Sequence, residues 1–190
     1  MIDKIQTGFT RFRAKRIASF ITPFLHQNDK VLDFGCGNLL VAEYIKKKID
    51  VDILGLDVID IHTNDIPFQK YAGEKIPFPS KRFDVLYASG VLHHINDLQK
   101  LLTECLRVVK KRLIILEDTP KNYVERTVAK FLDHSNLLIS HEMNLALNFK
   151  SESEWYGILQ AFPVKKICSF PVRPNPIRLT RHRLFVVDVT

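Results

Sequence analysis

Two carboxylates set apart by a glycine loop carry the chemistry of this chain. Asp33 ends a short apolar run, and Gly35-Cys36-Gly37 follows it at once. An amphipathic segment, residues 39–48, comes next, so the order is strand, glycine loop, helix. Glycines at such a turn let backbone approach a ligand closely and leave helix N–H groups aimed at it. Twenty residues beyond Gly37, a second apolar run closes on Asp57. An acid at that place can accept from both hydroxyls of a ribose. Glycine loop and ribose acid together predict a bound nucleotide-like cofactor. The dinucleotide pattern G-x-G-x-x-G needs a third glycine where Leu40 stands, which counts against a nicotinamide or flavin enzyme.

These residues need elements to hold them, and the chain alternates helical with strand patterns. Phe9, Phe12, Ile17, Phe20, Ile21 and Phe24 recur at helical spacing over residues 9–26. Strands are predicted over 30–34, 51–57, 69–72, 83–89 and 112–117, with two closing strands over 164–170 and 184–189. A helix over 39–49 takes Asn38 as its N-cap. A second, over 97–110, shows the stripe Leu98, Leu101, Leu102, Cys105, Leu106 and Val109. A third runs from Pro120 to about His134. A fourth starts at the capping box Ser151-Glu152-Ser153-Glu154 and reaches about Phe162. This alternation predicts an α/β sandwich on a mostly parallel sheet. Ligands of such sheets sit beyond the carboxyl ends of the strands, where Asp33, Asp57, Ser89, Glu117 and Asp118 fall. Residues 134–149 are apolar without clear period and are read as a lid or substrate wall. Pro171, Pro174 and Pro176 stiffen the connection between the last two strands.

A length of 190 residues predicts one domain, residues 1–190, with a helical cap over 1–28 and an insertion over 134–150. The 46% hydrophobic and 26% charged fractions are those of an ordinary globule. No apolar stretch is long enough to span a bilayer, and residues 1–16 lack a signal-peptide core, so a cytoplasmic protein is expected. Cys36, Cys105 and Cys168 form neither a disulfide framework nor a CxxC site. The net charge of +7 is gathered in small groups: Arg11 to Arg16, Lys46 to Lys48, Lys110 to Arg112, and Arg178 to Arg183. The second and third are read as cations offsetting helix C-termini. The first and last hint at an anionic partner such as nucleic acid, against a default of solvated surface. Nothing in the chain fixes an oligomeric state. His93 and His94, adjacent in an extended loop, are expected to point apart and share no metal; one facing the pocket is a candidate base, as is His141. His134 and His141 with Glu142 default to surface or lid, and no metal site is predicted. Cys36 is read as a small loop residue rather than a nucleophile, and Trp155 as core or pocket wall.

Val31-Leu32-Asp33-Phe34-Gly35-Cys36-Gly37 resembles the first motif of class I S-adenosylmethionine-dependent methyltransferases. Tyr71 to Pro79 and Phe83 to Leu86 resemble the segment before and within that family's fourth strand, and Val91-Leu92-His93-His94 its following loop. Leu113 to Asp118, Asn148-Phe149 and Glu154-Trp155 are similar to the fifth strand and last helix of its small-molecule, methyltransferase-11-like branches. The resemblance implies a Rossmann-like three-layer sandwich with a mostly parallel seven-stranded sheet and an antiparallel last strand. It implies that Asp33 and the backbone of Gly35, Cys36 and Gly37 hold the methionine end of the cofactor, that Asp57 binds its ribose, and that Val58 packs on adenine. Gly73 and Glu74 would lie along the adenine edge, and Ala88 and Ser89 would border the sulfonium. The function implied is methyl transfer from S-adenosylmethionine to a small-molecule acceptor, releasing S-adenosylhomocysteine. His93, His94 and His141 are the candidate bases should the acceptor be a hydroxyl. Two positions depart from the family pattern. Leu39 stands where a third glycine is common, and Ala72 where an aspartate often meets the adenine amino group. The first is expected to crowd the site. The second removes a hydrogen bond worth about 0.5–1.5 kcal/mol, roughly tenfold in affinity, unless Glu74 substitutes. Those departures motivate one alternative, a catalytically idle scaffold, and the charge motivates another, an RNA or protein acceptor.

Overall fold

Every apolar run read as a strand enters one sheet. The computed structural model describes residues 2–73, 75–140, 147–174 and 180–189. The strands are β1 (Lys30–Phe34), β2 (Asp52–Asp57), β3 (Phe68–Lys70), β4 (Phe83–Ser89), β5 (Val109–Asp118), β6 (Val164–Val172) and β7 (His182–Val189). Their order is β3-β2-β1-β4-β5-β7-β6. Pairs from β3 through β5 are parallel, and β7 runs antiparallel to both β5 and β6. The expected mostly parallel sheet with an antiparallel last strand is therefore present. The chain lays β2 and β3 on one side of β1 and the later strands on the other, so the switch point lies between β1 and β4. Crevices open at such points because the connections leave in opposite directions.

Alternation along each strand divides the apolar side chains between two helical layers. Val31, Ile53, Val85, Tyr87 and Ile114 pack with Ile17, Ala18 and Ile21 of α1 (Ile2–Ile21) and with Ala42 and Ile45 of α2 (Leu40–Lys46). Leu32, Phe34, Leu86 and Leu113 pack with Leu101, Leu102 and Cys105 of α3 (Leu98–Val108) and with Trp155 and Leu159 of α5 (Glu152–Gln160). The remaining helix, α4 (Tyr123–Ser140), follows β5. Among the described residues no helix is long and apolar enough to cross a membrane.

Several boundaries differ from the sequence reading, each for a local reason. Asn38 Oδ1 accepts from the Leu40 N–H at 3.3 Å, yet the N-cap position itself falls on Leu39. Helix α3 is capped by Asp97, whose side chain accepts from Lys100 N, and ends at Val108. Lys110, Lys111 and Arg112 are thus strand residues and not dipole partners of a helix end. Lys111 Nζ lies 3.0 Å from Asp29 and 3.2 Å from Asp84, and Arg112 Nε lies 2.8 Å from Asp188. Helix α4 begins at Tyr123, three residues after Pro120, and runs past His134 to Ser140. The segment expected to be irregular is therefore helical in its first part. Residues 141–146, including His141 and Glu142, lie outside the described residues, as do Glu74, Pro176 and Arg178. The capping box at Ser151 and Glu154 is formed in both directions. Pro171 sits in β6, an edge strand, where a missing N–H is tolerated.

Candidate cofactor site

Asp33 leaves β1 on the face that carries Val31, beneath α1. It is 3% exposed, and Tyr87 of β4 donates its hydroxyl to Asp33 Oδ2 at 2.6 Å. Burial pushes the Asp33 carboxyl up to about 7; the Tyr87 hydrogen bond opposes this and the charge of Asp57 adds to it. Burial also holds the Tyr87 hydroxyl well above its ordinary pKa, so it stays a donor.

The glycine loop turns directly above. Gly35 N–H donates to Leu56 O at 2.8 Å, stitching the loop to β2. Gly35 has φ +67°, and a Cβ there would lie 2.4 Å from Val91 Cγ2, so only glycine fits. Gly37 has φ +51° and faces open space where a Cβ would stand. Its N–H donates to Asp57 Oδ2 at 2.8 Å, while Asp57 Oδ1 accepts from Val58 N–H at 2.7 Å. Asp57 thus ties the loop to the end of β2; Oδ1 also accepts from Ile59 N–H at 3.4 Å, and Oδ2 keeps a lone pair for a further donor. The two carboxylates lie on the same rim, close enough for one charge to act on the other.

A cavity of about 270 Å³ opens here. Asp33, Gly35, Cys36, Gly37 and Ser89 line it from the sheet, and Arg13 and Ala14 of α1 close it from above. Ser89 Oγ is buried with no hydrogen-bond partner among the described residues. Val58 and Gly73 do not line it; they lie beside each other, with Val58 Cγ1 3.6 Å from where a Gly73 Cβ would stand. Ala88 is buried and its side chain joins the α3 layer, and it does not line the cavity. A carboxylate, a guanidinium and an orphan hydroxyl around one hollow, beside a glycine loop, suit the ammonium, carboxylate and polar atoms of an amino-acid ligand.

Leu39 does not crowd this cavity. It adopts the left-handed conformation, φ 58° and ψ 18°, that a glycine would adopt there at less cost. Its side chain is fully buried and turns into the α2 layer, toward β2. A Cβ on Gly55 would lie 2.6 Å from Leu39 Cδ2 and 2.9 Å from Cys36 Sγ. The glycine missing from the loop is matched by one in the neighbouring strand. The same packing half-buries Cys36, and burial pushes its thiol far above the ordinary range, which disfavours the thiolate a nucleophile needs. Ala72 is exposed.

The histidines differ from the extended pair expected. Leu92–His94 form a 3-10 turn, and the two imidazoles lie 4.0 Å apart, tilted by 50°. A tight turn brings neighbouring rings together where an extended segment would part them. His93 Nδ1 is 2.7 Å from Glu117 Oε2, and Glu117 Oε1 accepts from the N–H groups of Val91 at 3.0 Å and Leu92 at 2.7 Å. Phe149 stacks on the His93 ring at 4.4 Å, and Asn148 N–H donates to His93 O at 2.7 Å. Neither histidine lines the cavity. The side chains of Glu117 and His93 therefore brace the loop after β4, whose Val91 in turn packs against Gly35. Among the described residues no group of three or more His, Cys, Asp or Glu could hold a metal ion.

Arg13 lines the cavity, and the sequence reading did not single it out. The basic run around it looks like solvated surface, but Thr10, Arg13, Ala14 and Ile17 share one helical face, and all four line the cavity.

Residues 32–115 match the Methyltransf_11 family model, described as a methyltransferase domain. Family model, relatives and fold together support a class I S-adenosylmethionine-dependent methyltransferase. The chain is 27% identical over 149 residues to the uncharacterized methyltransferase YcgJ of Bacillus subtilis, covering 70% of this chain and 55% of that protein. The crystal structure of YcgJ covers 90% of this chain and 97% of its own, with a TM-score of 0.63 at 18% identity, a likeness of fold. A demethylmenaquinone methyltransferase of Thermotoga maritima is 32% identical over 104 residues, 50% of this chain and 45% of that one. A tRNA (carboxymethyluridine(34)-5-O)-methyltransferase of Schizosaccharomyces pombe is 29% identical over 114 residues, 57% of this chain and 49% of that one. The chain spans about half the length of these curated relatives.

Proposed function

We propose that this protein binds S-adenosylmethionine at the β1–β4 crevice and transfers its methyl group to a small-molecule acceptor. The observation that carries the reading is the cavity at which Asp33, Arg13 and the unpartnered Ser89 hydroxyl converge beside the glycine loop. When bound, S-adenosylmethionine supplies a methyl group on a sulfonium that needs no further activation. Asp33 then holds the ammonium of the methionine end, and Arg13 holds its carboxylate. Backbone at Gly35, Cys36 and Gly37 lies along the same portion, and Asp57 accepts from the ribose. Val58 and Gly73 wall the adenine, with Glu74 beside them, and Ser89 borders the sulfur. The remaining work is to align the acceptor and exclude water. Helix α1 serves as a cap over the cavity, residues 134–150 as the acceptor wall, and the chain as one domain. His93, fixed by Glu117, positions the loop after β4; His94 and His141 remain candidate bases for a hydroxyl acceptor.

A small acceptor is supported by the demethylmenaquinone relative. RNA is the second reading, supported by the tRNA relative, the net charge of +7 and the basic group Arg178 to Arg183. Calorimetric titration with S-adenosylmethionine and S-adenosylhomocysteine, with NAD as control, tests the donor. Heat with the first two and none with NAD is expected. No heat with either at high protein concentration would remove the proposal.

A further inference from the structure

A second and larger hollow, of about 1430 Å³, lies beyond the carboxyl end of β5 and the adjoining ends of β6 and β7. Five cations line it, Arg16, Lys121, Arg173, Arg181 and Arg183, against one acid, Glu152. Two of the five are paired: Arg183 with Glu152 at 2.5 Å and Arg181 with Glu125 at 3.3 Å. Arg16 Nε donates to the carbonyl of Arg173 at 2.8 Å, a neutral acceptor that fixes the guanidinium without cancelling its charge. Arg16, Lys121 and Arg173 have no carboxylate partner among the described residues. Asp118, at the end of β5, accepts from Thr180 Oγ1 at 2.6 Å and lies 3.1 Å from His182 Nε2. Phe20 and Tyr156 add apolar wall. Guanidinium groups converging on one cleft match the several acceptor oxygens of a phosphate.

The cleft is within reach of the donor cavity. Arg13 and Arg16 stand one turn apart on α1, a rise of about 4.5 Å, and line the cavity and the cleft respectively. Strand β7 is two places from β4 in the sheet, roughly 10 Å. We infer that the acceptor is a phosphate-bearing small molecule, held by its phosphate in this cleft while its nucleophilic end reaches Ser89. The inference rests on the proposed methyl transfer for the role of the cleft, but not for its anion binding.

The test is titration of the full chain with inorganic pyrophosphate, with and without S-adenosylhomocysteine. Wild type is compared with Arg173→Ala/Arg181→Ala and with Lys46→Ala/Lys48→Ala, which removes equal charge from exposed positions of the chain outside the cleft. The expected result is binding that weakens about tenfold or more in the arginine variant and is unchanged in the lysine variant. Both variants should melt with wild type, and the arginine variant should keep its affinity for S-adenosylhomocysteine. No binding to wild type, or equal loss in both variants, overturns the inference. Pyrophosphate binding in the expected pattern with no S-adenosylhomocysteine binding would sustain the anion site and sink the donor reading. A short single-stranded RNA that displaces pyrophosphate with a steep salt dependence would overturn the small-molecule class.

Discussion

Asp33 is a carboxyl in a place that disfavours its own charge. Buried beside Asp57, it titrates near 7 rather than near 4. A folded-state pKa raised above the unfolded value stabilises the protein fully below about pH 4, and that contribution is lost as pH climbs through 7. An entering ammonium reverses the balance by favouring the ionised form. Affinity for S-adenosylhomocysteine is therefore expected to rise roughly five- to tenfold between about pH 6 and 7.5, then level as the ligand amine, with an ordinary pKa near 8, loses its proton. Asp33→Asn should flatten that profile and weaken binding, yet raise Tm at pH 8 by about 2–6 °C, because the buried charge is gone. Calorimetry across pH and melting curves of both proteins check this; a steep pH profile retained in Asp33→Asn would refute it. At this scale the sequence was informative where geometry is local. Asp33, Gly35, Gly37 and Asp57 sit at a strand end and a turn that only certain residues tolerate. Tyr87 was hidden inside a continuous apolar strand, and Arg13 inside a basic run, since their partners lie far away in the chain.

The elements around the loop hold together through one interlocked pair. Leu39 occupies the space that Gly55 leaves open on β2. Gly55→Ala is expected to cost about 1–3 kcal/mol through overpacking against Leu39 and Cys36. Leu39→Ala should cost about 2–5 kcal/mol through the space it vacates. The double variant should be more stable than the sum by about 1 kcal/mol or more, as a urea-denaturation cycle would show. Strict additivity would mean that the two side chains do not compete. Strands and helices were legible from period and punctuation: the capping box at Ser151 and the apolar stripe of α3 are local signals. The start of β5 was not, because Lys110, Lys111 and Arg112 resemble a helix end. Their partners Asp29, Asp84 and Asp188 come from three other parts of the chain. The turn at His93 was likewise set by Glu117, twenty-four residues away.

For the molecule as a whole, the sheet places both hollows on one edge, with α1 lying over the two. The mostly parallel seven-stranded sheet and its antiparallel last strand followed from the alternating pattern and the family likeness, whereas the order of the strands and the switch point came from the structure. So did the cationic cleft, because its residues come from α1, the turn after β5, α5 and the β6–β7 ends. A ligand bound in the β1–β4 crevice contacts α1, α2 and the ends of β1 and β4 together, so it should stabilise the fold globally. At one hundred times Kd, S-adenosylhomocysteine is expected to add about 2.7 kcal/mol, raising Tm by roughly 5–10 °C in a single transition. NAD at the same concentration should leave Tm where it is. A melt that splits into two steps would show that cap and sheet unfold separately.

The Leu39–Gly55 pairing also bears on ancestry. A lineage that regained glycine at 39 would open a void, and one that filled 55 first would meet a blocked core, so neither exchange is easily taken alone. Descendants of this sequence should inherit the two positions as a linked trait, and a relative with leucine at the first and a bulky residue at the second would have to rebuild the loop that joins them.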